Sequence, residues 1–268
     1  MPIIFEHGGE NGKIVPPWDA IQVTSGVEGS VTLQNNIVRT GTEALKFYLN
    51  PKGHSSVSRQ EVTWWQLQYL NLRDLYFSMW VYIPNDYKIT TWDAMLDHHY
   101  FTHTPGLTVY DIRKAIMKMY NNRPYLFVEW TNGEWKRVNM PFPTGEWVHL
   151  QEHYKMHING ERQIWINDVL VYEEINANTA KTRQGVTATN IGSAEFKAYA
   201  GGGETGTVIK YLDDFVVSTE RVPKSYRVGG NEVPSPQPEP QPEPQPQDAN
   251  TLAILVFAAA LAALKGEK

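Results

Sequence analysis

The chain has 268 residues, of which 41% are hydrophobic and 12% aromatic, with no cysteine and a formal net charge of −5. The absence of cysteine excludes disulfides, thiolate catalysis and cysteine-ligated zinc. The acidic balance argues against nucleic acid as a partner. The length allows one large all-β domain, which is our default.

Short strands joined by tight turns are predicted along most of the chain. Leu75–Ile83 is rich in β-forming residues, and Ala115–Tyr120 with Tyr125–Trp130 is predicted to form a hairpin. The dipeptides Asn159-Gly160 and Asn167-Asp168 indicate further turns. Recurring short strands are typical of a two-sheet antiparallel β-sandwich of the jelly-roll kind.

One predicted strand, Trp147–Ile158, carries an unusual polar face. Its alternation assigns to the core Val148, Leu150, Tyr154, Met156 and Ile158. The opposite face carries His149, Gln151, His153, Lys155 and His157. This face is either a ligand-binding surface or the ordinary solvent-exposed face of an antiparallel sheet.

The C-terminal part of the chain differs in composition from the rest. We assign residues 1–232 to the jelly-roll domain and the Pro/Gln/Glu-rich residues 233–249 to an extended linker. Residues 250–268 form an apolar tail, predicted to be a short helix of roughly 20 Å, too short to be a good lone membrane span. A membrane or cell-surface anchor, a docking or oligomerisation helix and a remnant of cloning are the alternatives. No secretory signal peptide is recognised in this chain.

Arg59 and Glu61 share one face of a predicted strand. A guanidinium group directed into a groove binds carboxylates or sugar hydroxyls through its planar fork. The alternative is a cross-strand ion pair.

Two further segments carry groups that transfer protons. Asp97-His98-His99 offers His99 as a general base. Lys197 and Tyr199 share a face, and a tyrosine hydroxyl beside a cation transfers a proton when its pKa is lowered. Packing is the alternative role for Tyr199. Zinc is disfavoured because no H-E-x-x-H spacing occurs.

Carboxylates suggest two other kinds of site. Glu129, Glu152 and the pair Glu173-Glu174 would serve a glycoside hydrolase, but they lack the spacing typical of jelly-roll glycanases. Glu6 and Asp213 would hold a structural Ca²⁺ if the first and last strands are neighbours; the alternative is surface acids paired with lysines. No organic cofactor is expected.

Tryptophan is more abundant than a core of this size needs, and flat rings stack on the apolar faces of pyranose sugars. The surplus consists of Trp64, Trp65, Trp92, Trp130 and Trp135. Core or edge packing explains several of them equally well. As substrate-binding residues we select Trp130, Trp92, Glu61 and Lys155.

The order of motifs resembles that of concanavalin A-like jelly-roll polysaccharide lyases of the heparin-lyase, glucuronan-lyase and alginate-lyase kind. The motifs that carry the resemblance are Phe5-Glu6, Thr40–Phe47, Ser58–Glu61, Phe77–Pro84, Gly145–Trp147, Trp165–Asp168 and Lys210–Asp214. The resemblance implies a jelly roll with a concave groove, a structural Ca²⁺ between the first and last strands, and β-elimination at uronic acids.

The same resemblance implies roles for individual residues. Arg59 would neutralise the uronate, His99 would be the base, and Tyr199, with Lys197 beside it, would be the proton donor. Alginate lyases have Gln-x-His where this chain has Asp97-His98-His99. Gln151 and His153 are therefore the second choice for the catalytic pair.

The favoured prediction is an extracellular or cell-surface polysaccharide lyase that cleaves a uronic-acid-containing polymer, with attachment to a membrane or surface through residues 250–268. Three alternatives stay open. They are a non-catalytic carbohydrate-binding domain, a jelly-roll glycoside hydrolase, and a structural surface or appendage protein.

Overall fold

A computed structural model describes residues 1–9, 12–15, 18–25, 27–101, 111–129, 134–181 and 187–229. Side chains are described for these residues except at positions 97–101 and 111–114. The predicted linker at 233–249 and the apolar tail at 250–268 lie outside the described residues. Within the described ranges, no helix has the length and apolar character needed to cross a membrane.

Strands account for most of the regular structure of the described chain. In chain order the elements are β1 (Ile3–His7), β2 (Ala20–Val23), β3 (Glu28–Gln34), β4 (Ala44–Asn50), β5 (Ser58–Trp64), α1 (Leu67–Leu70), β6 (Asp74–Tyr82), β7 (Asp93–Phe101), β8 (Asp111–Tyr120), β9 (Arg123–Glu129), β10 (Trp135–Pro141), β11 (Trp147–Lys155), β12 (Gly160–Ile166), β13 (Val169–Ala177), β14 (Asn190–Ile191), β15 (Ala194–Ala200) and β16 (Val208–Ser218).

The strands form two antiparallel sheets. Sheet A has the order β13-β12-β11-β6-β16-β4-β3, and β1 also pairs with β16. Sheet B has the order β10-β9-β8-β7-β15-β5-β2, and β14 also pairs with β7. The predicted two-sheet β-sandwich of the jelly-roll kind is confirmed. The first and last strands are neighbours, which meets the condition stated for the calcium site.

Two of the predicted hairpin turns have the backbone that their sequence requires. Asn121 and Asn122, between β8 and β9, have φ values of 49° and 59°. Asn167 and Asp168, between β12 and β13, have φ values of 49° and 66°. Two successive residues with positive φ match the type I′ turn, whose twist fits that of the flanking strands.

The strand predicted over Trp147–Ile158 ends earlier, at Lys155. The Thr179 hydroxyl donates to the Lys155 carbonyl (2.5 Å) and accepts the His157 N–H (3.0 Å). A side chain, and not the backbone of a neighbouring strand, therefore provides these hydrogen bonds. Ile158 is 58% exposed, and its predicted place in the core is therefore wrong. Met156 is buried, as predicted.

The core between the sheets absorbs part of the aromatic surplus. Phe5 stacks on Trp64 with ring centroids 4.4 Å apart. The Trp18 centroid lies 5.0 Å from those of Phe5 and Phe215, which are 6.0 Å from each other. Each such ring contributes roughly 1.5–3 kcal/mol of burial free energy. Trp64 is therefore a core residue and not a spare sugar platform.

A buried ion pair also lies between the sheets. Arg162 of β12 donates through Nε to Glu152 of β11 (2.5 Å) and through Nη1 to the Glu129 carbonyl of β9 (2.8 Å). Arg162 and Glu152 are both buried. The interaction links sheet A to sheet B, and it places Glu152, considered above as a hydrolase acid, inside the sandwich.

Candidate functional site

The predicted catalytic residues fall on three strands that are adjacent in sheet B, because its order includes β7-β15-β5. Tyr199 of β15 lies directly opposite Arg59 of β5, and Lys197 lies opposite Glu61. The register therefore brings together four residues that were predicted to bind or act on the substrate, although β5 and β15 are far apart in sequence.

These four side chains lie on the outer face of sheet B, which we define as the face turned away from the core. On β15, Phe196 and Ala198 are fully buried in the core, and Phe196 packs against Phe47 of sheet A with ring centroids 5.1 Å apart. Alternation along a strand then directs Lys197 and Tyr199 to the opposite face.

Lys197 is held between two carboxylates. Its Nζ lies 2.6 Å from Glu195 and 3.1 Å from Glu61, and Arg59 Nη1 lies 3.6 Å from the other oxygen of Glu61. Burial raises the pKa of Glu61 above its usual value, although Lys197 opposes this change. Glu61, Lys197 and Glu195 are buried, whereas the Arg59 side chain is 44% exposed. Arg59 is thus the accessible charge of this cluster, and Glu61 lies beneath it.

Tyr199 and Trp92 form an aromatic edge beside the ion cluster. Their ring centroids are 5.4 Å apart at an interplanar angle of 86°, and Lys197 Nζ lies 5.4 Å from the Tyr199 centroid. Both rings are half-buried. An edge-to-face pair of this kind holds both rings in fixed orientations next to Arg59.

Asp93 fixes the backbone at Tyr199. Asp93 Oδ1 accepts the Tyr199 backbone N–H (3.0 Å), and Oδ2 accepts the Tyr87 hydroxyl (2.7 Å). Oδ2 also lies 2.8 Å from Lys210 Nζ. Burial raises the pKa of Tyr87 well above its usual value, and Asp93 raises it further. Tyr87 therefore stays a hydroxyl donor to the carboxylate.

Lys210 crosses from sheet A to the backbone of sheet B. Its Nζ donates to the carbonyls of Ala94 (3.0 Å) and Lys197 (2.5 Å), and the side chain is fully buried. The pairing of β15 with β7 shifts register between Phe196 and Tyr199. Lys210 satisfies carbonyls at this irregularity and supports the strand that carries Tyr199.

Sequence reasoning missed three residues of this assembly: Glu195, Asp93 and Lys210. Glu195 shares the face of Lys197 and Tyr199 by simple alternation, so the sequence held a signal for it. Asp93 and Lys210 gave no such signal, because the irregular pairing that they support is visible only in three dimensions.

Two of the predicted site residues have side chains outside the described part of the structure. The backbone of His99 pairs with Ile112 of β8, but its side chain lies outside the described part of the structure. Trp130 lies outside the described residues altogether. Their predicted roles as base and sugar platform stay predictions.

The second-choice pair lies on the other sheet, under a C-terminal segment. Gln151 Nε2 donates to the Val222 carbonyl (2.9 Å), and Gln151 Oε1 accepts from Arg221 Nε (2.9 Å). His153 Nε2 lies 2.7 Å from Asp74, and the ring stacks on Tyr76 at 4.2 Å. Gln151 and His153 are buried, so the geometry favours the first choice on sheet B.

Lys155, selected as a substrate-binding residue, lies on the same strand as this pair, at the end of β11. Its Nζ lies 3.8 Å from Glu161, and the side chain is 45% exposed. It belongs to sheet A and is therefore separated by the sandwich from Arg59 and Tyr199.

His149, on the same face as Gln151, gives a pH-dependent prediction. It lies 2.8 Å from the Ser78 hydroxyl and stacks on Trp80 at 5.1 Å. Burial lowers its pKa to about 4. Between its usual pKa near 6.5 and about 4, the unfolded chain binds a proton that the folded chain does not, so stability falls as pH falls, by up to about 3 kcal/mol.

Replacement of His149 by Gln is expected to remove this pH-dependent part of the folding stability. Urea unfolding at pH 7.5 and pH 4 measures it, since the difference in unfolding free energy between wild type and His149→Gln should change by up to about 3 kcal/mol between the two conditions. An equal difference at both pH values would contradict the assignment.

The calcium site predicted at Glu6 and Asp213 does not fit the geometry. Glu6 pairs with Val216, three residues along β16 from Asp213, a distance of roughly 10 Å in a strand. The Asp213 carboxylate accepts backbone N–H groups of Arg39 (2.9 Å) and Asp214 (2.8 Å), where a cation would need room. Nor do the described residues contain any group of three or more His, Asp or Glu side chains suited to a metal.

Searched by sequence, the chain matches no protein-family model and no curated protein. Its fold, in contrast, matches solved structures. An endo-β-1,4-glucuronan lyase from the fungus Trichoderma reesei has a TM-score of 0.56 at 17% identity, covering 81% of this chain and 96% of that one. The cellulose-induced protein Cip1 has a TM-score of 0.56 at 15% identity, covering 81% and 98%.

An alginate lyase from a Chlorella virus has a TM-score of 0.51 at 11% identity, covering 80% of this chain and 98% of that one. The predicted resemblance to jelly-roll polysaccharide lyases is thus confirmed for the fold, over most of the length of each chain. At these identities the likeness establishes the fold alone.

Proposed function

We infer that this chain is a carbohydrate-active protein and, more specifically, a lyase that cleaves a uronic-acid-containing polysaccharide by β-elimination on the outer face of sheet B. The observation that carries this proposal is the cross-strand pair of Arg59 and Tyr199, with Trp92 edge-on to the tyrosine. Two of the structures with the same fold are named as a glucuronan lyase and an alginate lyase, which supports an acidic polysaccharide as the substrate.

The chemistry needs three groups. Arg59 would bind the uronate carboxylate and reduce its negative charge, so that the proton at C5 becomes more acidic. A base takes that proton, and the resemblance assigns this role to His99. As the C4–O bond breaks and the C4–C5 double bond forms, the Tyr199 hydroxyl would donate its proton to the departing oxygen.

The charges of the described cluster are consistent with this use of Arg59. Lys197 is bound to Glu195 and Glu61, so its charge is balanced within the cluster. Arg59 contacts Glu61 only at 3.6 Å and keeps a large part of its surface exposed. It is therefore placed to bind a substrate carboxylate without first breaking a close buried ion pair.

The test is incubation of the full chain with alginate, glucuronan, heparin and pectin while ultraviolet absorbance of unsaturated ends is followed. Absorbance with one or more polymers supports elimination. New reducing ends without absorbance would instead indicate a hydrolase, and binding without either product would indicate a carbohydrate-binding domain.

We further propose that the protein acts outside the cytoplasm, with residues 250–268 attaching it to a surface and residues 233–249 as the spacer. The proline-rich composition of the spacer and the apolar run in the tail support this arrangement. Fractionation of cells that produce the chain with and without residues 250–268 tests the attachment.

A further inference from the structure

A second cluster of aromatic and basic side chains lies on the outer face of sheet B, at the end formed by β8, β9 and β10. Met117, Leu126 and Val138 of these strands are buried in the core, so their sequence neighbours face outward. We call the cluster the distal patch, and its members are Lys118, Tyr120, Tyr125, Phe127, Trp135 and Arg137.

The rings of the distal patch hold its cations in place. Arg137 Cζ lies 3.8 Å from the Tyr120 centroid and 5.0 Å from that of Tyr125, and the two tyrosine rings meet edge-on at 5.7 Å. Lys118 Nζ lies 5.4 Å from the Phe127 centroid. A guanidinium that lies over a ring face keeps its N–H groups in its own plane, directed away from the ring and available for a carboxylate.

The patch is basic on an acidic protein. Among the described residues, neither Arg137 nor Lys118 forms an ion pair with a carboxylate. Glu129 of β9 lies directly opposite Trp135, but its side chain is buried. Tyr120 is 46% exposed and Trp135 is 39% exposed, and both rings lie on the same outer face as the two cations. Exposed rings beside unpaired cations fit a ligand made of acidic sugars.

The distal patch is aligned with the candidate active site by strand register. Consecutive cross-strand pairs form one row across sheet B, with each residue directly opposite the next. The row runs through Arg59, Tyr199, Ala94, Ile116, Phe127 and Arg137. Five strand spacings of about 4.8 Å separate its ends, or about 24 Å. Ala94 and Ile116 in its middle are buried, whereas the residues on either side of them, Arg59 with Tyr199 and Phe127 with Arg137, are partly exposed.

We propose that the distal patch is a second binding region for the same acidic polysaccharide, which would cross the strands from Arg59 to Arg137. This inference rests on the proposed function. A polymer contacts both ends of the row, whereas a short oligosaccharide bound at Arg59 and Tyr199 does not reach Arg137. The distal patch therefore contributes to the affinity for long chains and not to the chemical step.

The test compares Arg137→Gln with wild type by affinity electrophoresis and calorimetry, using glucuronan and alginate polymers and the trisaccharides derived from them. Binding of the polymer is expected to weaken about tenfold, as for loss of one charge-assisted contact, and binding of the trisaccharide to stay unchanged. Arg73→Gln, an exposed arginine outside the row, is the matched control. Tyr120→Leu, which keeps Arg137 but removes a ring, should weaken polymer binding as well.

The outcomes separate this inference from the proposed function. If wild type binds or cleaves the polymer and Arg137→Gln behaves like wild type, the inference is overturned while the proposed function stands. If Arg73→Gln weakens binding equally, the effect is one of total charge and the inference also fails. If wild type binds the polymer without cleaving it and only Arg137→Gln is weakened, the distal patch is supported and the lyase activity is not.

Discussion

Replacement of Tyr199 by phenylalanine is expected to lower lyase turnover by about 10²–10⁴-fold, the usual contribution of a positioned proton donor. The change removes only the hydroxyl. The Tyr199 backbone N–H keeps its bond to Asp93, and the ring keeps its edge-on contact with Trp92. The loss should therefore appear in kcat, with little change in melting temperature.

Tyr69→Phe is the matched control for this experiment, because Tyr69 is an exposed tyrosine in α1, outside sheet B. It should retain full turnover. Activity of Tyr199→Phe within a few-fold of wild type would show that another group protonates the leaving oxygen. A loss of folding in Tyr199→Phe, visible in the melting curve, would show that the hydroxyl is structural.

Arg59 offers a companion measurement. Since its proposed role is to bind a carboxylate through a planar fork, Arg59→Lys keeps the charge but loses the paired hydrogen bonds. Its effect should be smaller than that of Arg59→Ala, and both effects should include a raised KM.

Alternation, turn dipeptides and the resemblance in motif order predicted the fold, and alternation alone predicted the direction of several site residues. The placement of Lys197 and Tyr199 on one face follows from the two-residue period of a strand, and so does that of Arg59 with Glu61. The dipeptides Asn121-Asn122 and Asn167-Asp168 identified two hairpins, because asparagine and aspartate tolerate positive φ values better than most residues.

Properties that depend on long-range contacts could not be predicted in this way. The pairing of β5 with β15 joins residues more than a hundred positions apart, so the meeting of Arg59 with Tyr199 required the structure. Gln151 and Glu152 alternate like any strand residues. Yet Gln151 is covered by the segment that contains Val222, and Glu152 lies between the sheets against Arg162.

Calcium illustrates the same limit. The first and last strands are neighbours, which was the condition for the site, but their register pairs Glu6 with Val216 and not with Asp213. Burial, and then the neighbouring Asp214, raise the pKa of Asp213 well above its usual value. Asp214 itself binds the Arg39 guanidinium, which in turn lies 3.5 Å from the Trp80 ring. A cationic side chain thus already occupies this junction of strands.

Lys210→Met is expected to destabilise the protein by about 3–5 kcal/mol, the cost of removing one partner from a buried ion pair. The methionine fills much of the same volume, but it leaves the Asp93 carboxylate without its cation. It also removes the N–H groups that Lys210 donates to the carbonyls of Ala94 and Lys197. Lys88→Met, at an exposed position, is the control and should change stability by less than about 0.5 kcal/mol.

The double variant Lys210→Met/Asp93→Asn decides whether the ion pair is the cause. Asparagine at position 93 has no charge to be stranded, and its side-chain oxygen still accepts the Tyr199 N–H. Urea unfolding should therefore show that the double variant loses less stability than the sum of the single variants. Strict additivity would mean that Lys210 acts only through the two carbonyls. Hydrogen exchange at the Tyr199 amide supplies a local readout, since it should quicken in Lys210→Met if the buried lysine holds in place the strand that carries the proposed proton donor.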